Sequence, residues 1–205
     1  MEHEVLPLGA FETNCVVLWD DRKSTLVVDP GAEPDRIESL LDAKGLTLSA
    51  IALTHGHADH IGALDSLLRR RSVPVYLTEA DAAWAFTNLN TFPPYTTVQS
   101  RPASLLRPQD FLEVGNLKAR VIPTPGHTPG GVCYWFEADH LLLTGDTLFA
   151  GSVGRTDLPG GDWGALEESL RRLKALPDDV CLVAGHGEGS TLGAEKRYNP
   201  YLARV

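Results

Sequence analysis

The sequence has few cysteines, and none of them lies close to another along the chain. Cys15, Cys133 and Cys181 are the three thiols in 205 residues, and each lies in an apolar, strand-like stretch. An odd number of widely spaced cysteines argues against a disulfide framework and against a Cys-X-X-Cys metal site. We therefore expect three reduced, buried thiols that neither bind metal nor act as nucleophiles.

Long apolar runs and an excess of positive charge are also missing. No apolar run approaches the roughly 18 residues that suggest a membrane span, and residues 1–4 lack the basic and apolar regions of a secretory signal peptide. Lys and Arg number 18 against 27 Asp and Glu, so the net charge is −9. This acidic balance opposes binding to nucleic acid and to anionic membranes. We expect a cytoplasmic protein whose partner is a small molecule.

The composition is typical of one globular domain spanning residues 1–205. Strand pairs and helices alternate in both halves, which predicts a layered α/β protein with mixed sheets. Residues 88–108 have no regular pattern and are rich in Pro, Thr and aromatics, so they form either a lid or a plain surface connection. Hairpins are predicted at 16–28, 111–122 and 132–143, further strands at 50–53, 73–77 and 180–183, and helices at 34–44, 61–68, 79–86 and 162–176.

Three imidazoles and a carboxylate fall within six residues of the motif Thr54-His55-Gly56-His57-Ala58-Asp59-His60. The motif directly follows the apolar run 50–53, a pattern that predicts a buried strand ending in a loop. His and Asp are ligands of zinc, and imidazole also suits iron. A His-rich polar loop without metal is the simpler alternative. With seven His in the whole chain, three of them here favour a metal site.

Three further polar side chains follow apolar runs and have Gly beside them, namely His127, Asp146 and His186. Each is predicted to lie where a strand gives way to a tight loop, and separate strand ends can converge on one edge of a sheet. With the residues of the first motif they supply five His and two Asp, which is enough for two metal ions. We expect the remaining histidines, His3 and His140, at the surface.

This pattern resembles the metallo-β-lactamase superfamily, whose hallmark is HxHxDH followed by a distant His, a bridging Asp and a final His. The resemblance covers nearly the whole chain and implies an αββα sandwich, in which two mixed β-sheets pack face to face with helices outside and metals at one edge. It also implies two divalent ions, with zinc expected and iron or manganese as alternatives, and a role for Asp29 in orienting a ligand loop. The implied ligands are His55, His57 and His127 for one ion, Asp59, His60 and His186 for the other, and Asp146 as the bridge.

Residues 151–162 are similar to a loop of glyoxalase II-type hydrolases, and residues 12–15 and the tail 185–200 are similar to a short bacterial subgroup of them. The resemblance implies hydrolysis of thioesters such as S-D-lactoylglutathione, by attack of a metal-bridging hydroxide on the acyl carbonyl. Asp59 and Asp146 would be the catalytic carboxylates. Full-length glyoxalase II holds glutathione with a C-terminal helical extension, and this chain ends at Val205 without it. The thiol of the substrate therefore stays open.

Three residues are candidates for contacting the substrate. Arg155 either anchors a substrate carboxylate or forms an ion pair with Asp157 that shapes its loop. Phe149 and Tyr95 either line the pocket or belong to the core, where aromatics usually lie.

Four rival functions differ from thioester hydrolysis in metal or substrate. A persulfide dioxygenase would use one iron held by His55, His127 and Asp146. A phosphodiesterase on the same fold is disfavoured by the acidic charge balance, and a β-lactamase by the missing signal peptide. A purely structural zinc site would favour Cys ligands over His and Asp.

Overall fold

The computed structural model describes residues 1–100, 104–106 and 111–205. Its first sheet is mixed: strands β1 to β3 are antiparallel, and β3 to β6 run parallel. In spatial order the strands are β1 (Glu2–Leu8), β2 (Thr13–Trp19), β3 (Ser24–Val28), β4 (Thr47–Ala52), β5 (Val75–Thr78) and β6 (Ser104–Leu106).

The second sheet is also mixed, because β10 and β13 are parallel while its other neighbours are antiparallel. Its spatial order is β14-β13-β10-β9-β8-β7. The bounds are β7 (Phe111–Val114), β8 (Leu117–Pro123), β9 (Val132–Phe136), β10 (Leu141–Gly145), β13 (Cys181–Ala184) and β14 (Ser190–Thr191), with β11 (Leu148–Phe149) and β12 (Ser152–Val153) forming a separate ribbon.

Helices cover the outer face of each sheet. The first sheet carries α1 (Pro34–Lys44), α2 (Ala58–Ile61), α3 (Leu64–Arg70) and α4 (Glu79–Ala85), and the second carries α5 (Trp163–Lys174) and α6 (Leu192–Tyr198). Pro34 opens α1 and Gly45 ends it at φ 62°, as the sequence predicts. Among the described residues, no helix combines the length and the apolar character that crossing a bilayer requires.

Three apolar layers account for the stacking of these elements. One lies between the first sheet and its helices and contains Ile37, Leu64 and Leu67. The middle layer joins the two sheets through residues such as Leu26, Tyr134 and Phe136, and the third packs α5 against the second sheet through its buried leucines. The predicted αββα sandwich of two mixed sheets is confirmed.

The strand directions bring several strand ends to one edge of the sandwich. β3 and β4 are parallel in the first sheet, so both end at the same edge. In the second sheet, β8, β10 and β13 all run in one direction. The loops that follow these five strands contain every residue predicted to bind metal.

Three expectations from the sequence need correction. The helix predicted over 61–68 is two helices, because at Gly62–Ala63 the chain turns and Ala63 N donates to Pro30 O at 3.0 Å instead of continuing one helix. The segment predicted to be irregular contains β6, while its residues 101–103 and 107–108 lie outside the described residues. Cys181 is exposed because it begins β13 and pairs with the exposed Thr191 of the edge strand.

One buried hydrogen bond ties the two sheets together near the metal edge. Tyr134 Oη, on β9, donates to Leu53 O at 2.7 Å, and the side chain is completely buried. We expect Tyr134→Phe to lower the free energy of unfolding by about 1–3 kcal/mol, because the Leu53 carbonyl would stay buried without this donor. Urea denaturation measures the change. Tyr198→Phe is the control, since Tyr198 is 79% exposed, and equal stability of the two variants would contradict the assignment.

Candidate metal centre

All seven residues predicted to bind metal lie at this edge, in the loops after the strands or in the short helix α2. His55, His57, Asp59 and His60 follow β4, and the last two belong to the short helix α2. His127 follows β8, Asp146 follows β10 and His186 follows β13. The structure brings together side chains that are up to 131 positions apart, counted from residue 55 to residue 186.

His55, His57 and His127 form the first group of potential ligands. His57 Nδ1 lies 3.1 Å from His55 Nε2 and 2.9 Å from His127 Nε2. The three inward-facing ring nitrogens can therefore contact a single ion. This all-nitrogen set suits zinc and other divalent transition metals.

Asp59, His60 and His186 form the second group. The Nε2 atoms of His60 and His186 are 3.3 Å apart, and Asp59 Oδ2 lies 3.3 Å from His186 Nε2 and 3.6 Å from His60 Nε2. The second group thus offers two nitrogens and one oxygen to an ion beside the first.

Asp146 lies between the two groups. Its Oδ2 is 3.5 Å from both His127 Nε2 and His186 Nε2, and its Oδ1 is 3.4 Å from His60 Nε2. Oδ1 is buried and has no hydrogen-bond partner among the described residues. Burying a carboxylate oxygen without a hydrogen-bond or charge partner costs free energy, because the oxygen loses its contacts with water. A cation shared by the two groups would satisfy it, so the residues present fit a two-metal centre.

The outer ring nitrogens of three ligands are bound to main-chain or carboxylate oxygens. His127 Nδ1 lies 2.8 Å from Arg155 O, His186 Nδ1 lies 2.9 Å from Phe11 O, and His60 Nδ1 lies 3.0 Å from Asp29 Oδ2. An acceptor on the outer nitrogen fixes the ring orientation and the tautomer, leaving Nε2 free for metal.

Asp29 has the orienting role that the sequence suggested. It accepts hydrogen bonds from Thr54 N at 2.7 Å and from Thr54 Oγ1 at 2.6 Å, besides its contact with His60. Both carboxylate oxygens are thus engaged with the loop that carries the first His motif. Asp29 also lies close to His55 and His60, but both of its oxygens already accept hydrogen bonds from Thr54.

Asp81 was not recognised as part of the site from the sequence. This buried residue of α4 accepts hydrogen bonds from Gly56 N at 2.9 Å, Thr128 Oγ1 at 2.8 Å and Gly130 N at 2.7 Å. It therefore joins the loop of His55 and His57 to the loop of His127. Burial raises the pKa of Asp81, and the three hydrogen bonds oppose that rise. No local motif around residue 81 indicates this role.

The turn between β1 and β2 and the first residues of β2 also belong to the site. Thr13 Oγ1 donates to Asp59 Oδ2 at 3.2 Å, and Asn14 N donates to Gly185 O at 2.7 Å. Phe11 holds His186 through its carbonyl. The signal available beforehand was the similarity of residues 12–15 to the short hydrolases, which did not reveal what these residues contact.

Two glycines allow the backbone to approach the acidic ligands closely. A Cβ atom at Gly31 would overlap Asp59 O, and one at Gly154 would overlap Asp146 O. Only a residue without a side chain fits at either point. Both acidic ligands therefore depend on a glycine in another loop.

The two groups differ in their electrostatics. Burial lowers the pKa of His57 to about 4, and His127 adds to the effect. Burial also opposes protonation of His60 and His186, but nearby carboxylates, Asp59 and Asp146 above all, raise their pKa values to about 9 and about 10. Burial thus keeps the imidazole of His57 neutral, whereas the imidazoles of His60 and His186 lie beside the carboxylates of Asp59 and Asp146.

An open cleft of about 440 Å³ lies directly over both groups. Its lining comprises His57, Asp59, His127 and Asp146 together with Phe11, Phe92, Pro93, Arg155 and Leu158. The other two candidate substrate contacts lie beside it. Tyr95 is buried behind Phe11, with ring centroids 5.7 Å apart, and the ring centroid of Phe149 is 6.3 Å from that of His186.

Residues 8–186 match the model of the family described as the metallo-beta-lactamase superfamily. This range contains both groups and every strand of the two sheets except β14 and most of β1. The chain belongs to the metallo-beta-lactamase superfamily. Metal dependence and hydrolytic chemistry follow from that membership together with the clustered His and Asp residues.

One curated relative and three solved structures show what this member of the superfamily is similar to. It is 34% identical to hydroxyacylglutathione hydrolase GloC of Haemophilus influenzae, over 98% of each chain. BLEG-1 B3 metallo-beta-lactamase is 36% identical with a TM-score of 0.94, over 98% of this chain and 99% of that one. The di-iron-bound form of TTHA1623 is 36% identical at TM-score 0.83, over 97% and 99%. ETHE1 from Myxococcus xanthus is 29% identical at TM-score 0.83, over 100% and 85%.

Removal of Asp146 tests whether one carboxylate serves both ions. We expect Asp146→Ala to lose both metals and all hydrolytic activity, because its oxygens face ligands of each group. Elemental analysis of the purified protein after dialysis measures the metal content. Asp179→Ala and His3→Ala are controls at exposed positions, and two retained metals with full activity in Asp146→Ala would contradict the bridging role.

Replacement of Asp81 tests whether it positions the ligand loops. We expect Asp81→Asn to weaken metal binding by about 10- to 100-fold, because one acceptor oxygen becomes a donor that faces other donors. Competition with a chelator measures the affinity, and circular dichroism checks the fold. Asp65→Asn is the matched control, since Asp65 also accepts loop N–H groups, from Gln99 and Ser100, away from the metal centre. Equal affinities in the two variants would refute this role.

Proposed function

We propose that the protein hydrolyses thioesters, S-D-lactoylglutathione among them, at a two-metal centre. His55, His57 and His127 would hold one ion, Asp59, His60 and His186 would hold the other, and Asp146 lies between the two groups. The observation that carries this proposal is that two complete three-ligand groups lie side by side beneath an open cleft. The similarity to GloC along nearly the whole chain supports this substrate class.

Two such ions, when bound, lower the pKa of a water molecule and polarise the carbonyl group of the ester. Asp59 is placed to orient the attacking group, because it lines the cleft and Thr13 Oγ1 fixes its Oδ2. Cysteine nucleophiles are unsuited to this role. Cys133 is buried, which raises its pKa to about 12, and burial raises the pKa of Cys15 even further. Cys181 begins β13 and His186 follows the other end of that strand, so Cys181 lies at the end of β13 away from the metal centre.

Zinc is the ion that we propose for both groups, because the first offers three His donors and the second offers two His and one Asp. Iron is the direct alternative, since imidazole and carboxylate also suit iron and TTHA1623 has a di-iron-bound form. Manganese is a weaker candidate because it favours oxygen ligands. Elemental analysis of protein grown without metal supplements distinguishes the three.

A persulfide dioxygenase with one iron on His55, His127 and Asp146 explains fewer of the contacts. His57 Nδ1 lies within 3.1 Å of the inward nitrogens of both histidines, so an ion bound there would also meet His57. The second group would have no role in that reaction. A phosphodiesterase is weaker still, because Arg155 is the single Lys or Arg among the described residues of the cleft.

β-Lactam hydrolysis is the second candidate, favoured by the likeness to BLEG-1 B3 metallo-beta-lactamase. The same centre could act on the strained amide of a β-lactam, since the attacking group and the polarised carbonyl are equivalent. The substrate preference of one enzyme preparation decides between thioester and β-lactam.

Hydrolysis of S-D-lactoylglutathione by the purified protein tests the proposal. We expect turnover at roughly 1–1000 per second, lost on treatment with a chelator and restored by zinc or iron. The loss of thioester absorbance reports the rate, and Asp146→Ala is the inactive control. A metal-loaded protein that is inert to thioesters but consumes oxygen with glutathione persulfide, or cleaves a chromogenic cephalosporin, would overturn thioester hydrolysis.

A further inference from the structure

Three aromatic rings form one continuous surface at the mouth of the cleft. The ring centroids of Phe11 and Phe92 are 5.5 Å apart, those of Phe11 and Tyr95 are 5.7 Å apart, and those of Phe92 and Tyr95 are 5.5 Å apart. These distances are typical of packed aromatic side chains. We call these three residues the aromatic wall.

The aromatic wall is buried at its base and open towards the cleft. Tyr95 is 8% exposed, whereas Phe11 is 49% exposed. Phe11 and Phe92 line the cleft, and Pro93 and Leu158 extend its apolar lining. A large apolar surface that stays open beside a reactive centre is typical of a ligand-binding site.

Main-chain contacts hold the wall close to the metal centre. Phe11 O lies 2.9 Å from His186 Nδ1, so the residue that orients one ligand also presents its ring to the cleft. Tyr95 N donates to Phe92 O at 2.7 Å, which joins two residues of the wall. At the base of the β1–β2 turn, which carries Phe11, Gly9 N donates to Glu33 Oε1 at 2.6 Å. A surface held in this way binds ligand without a large ordering cost.

Charge complementarity to an anionic substrate is weak in this cleft. Arg155 is the single Lys or Arg among its described lining residues, and Asp157 already accepts hydrogen bonds from Arg155 Nε at 2.7 Å and from Nη2 at 2.8 Å. A carboxylate of the substrate would have to compete with Asp157. Apolar contact is therefore the stronger means of recognition next to the metals.

We propose that the aromatic wall binds an uncharged alkyl or aryl substituent of the substrate, so that the enzyme selects thioesters by their apolar surface. This inference rests on the proposed thioester hydrolysis at the same site. The substituent belongs either to the acyl group or to the thiol, and the two sources share the same binding chemistry. Phe11 is the specificity-determining residue, because it is the more exposed end of the wall.

Binding of uncleavable thioethers tests the wall separately from catalysis. Calorimetric titration of the metal-loaded protein would compare S-octyl with S-methyl N-acetylcysteamine. Since a buried methylene contributes about 0.8 kcal/mol, each one that reaches the wall improves Kd by about threefold to fourfold. We expect the octyl ligand to bind at least 10-fold more tightly than the methyl ligand.

Variants of Phe11 identify the wall as the source of this preference. Phe11→Ala should reduce the octyl-to-methyl affinity ratio by at least fivefold, whereas Phe11→Leu should keep most of it because the apolar surface remains. Phe111→Ala is the matched control, since Phe111 is 54% exposed on β7 and is not among the residues that line the cleft. Metal content and thermal unfolding of each variant show whether His186 has been disturbed. An unchanged ratio in Phe11→Ala would overturn the proposal.

Two series of thioesters then locate the substituent. If kcat/KM rises with acyl length and Phe11→Ala removes the rise, the wall binds the acyl group. If the rise follows thiol length instead, the wall binds the thiol. A flat response in both series would overturn the proposal. Tight binding of the octyl thioether by a protein that cleaves no thioester would support the apolar site and refute thioester hydrolysis.

Discussion

Five imidazoles and two carboxylates are held together at one edge of the sandwich, and most of the local structure depends on keeping them there. Their inward nitrogen and oxygen atoms lie 2.9–3.6 Å apart, with Asp146 Oδ1 buried and lacking a hydrogen-bond partner among the described residues. Crowded lone pairs of this kind repel one another and need positive charge between them. The cluster therefore explains why so much of the surrounding chain serves as support.

That support comes from several separate parts of the fold. Asp29 and Asp81 tie the ligand loops to each other and to α4, and Gly31 and Gly154 let two loops approach the carbonyls of the acidic ligands. Supporting contacts of this kind determine how accurately a metal centre is arranged. Apart from the ligands, the cleft above the centre is lined by four apolar side chains and Arg155. The metal centre thus accounts for the reaction class, and we propose that the cleft governs the choice of substrate.

Local patterns predicted a layered α/β protein with mixed sheets and His and Asp donors at strand ends, and the resemblance to the superfamily implied the αββα sandwich that the structure has. Apolar runs that stop at Gly and a polar ligand mark strand ends, and the HxHxDH motif places several donors on one loop. The errors have local physical causes as well. The predicted helix over 61–68 is interrupted because Ala63 N donates to Pro30 O. Cys181 is exposed because it is the first residue of β13, and apolar neighbours along the chain do not determine whether such a position is covered by other elements.

The sequence by itself determined the donor types, their order along the chain and the strand ends that carry them, because these properties are set within a few residues. Only the tertiary structure decided which side chains support the donors and which face the substrate. Asp81 contacts residues 25 and 49 positions away, and Phe11 contacts His186 across 175 positions. Contacts at such separations arise from the packing of two sheets, which no local pattern records.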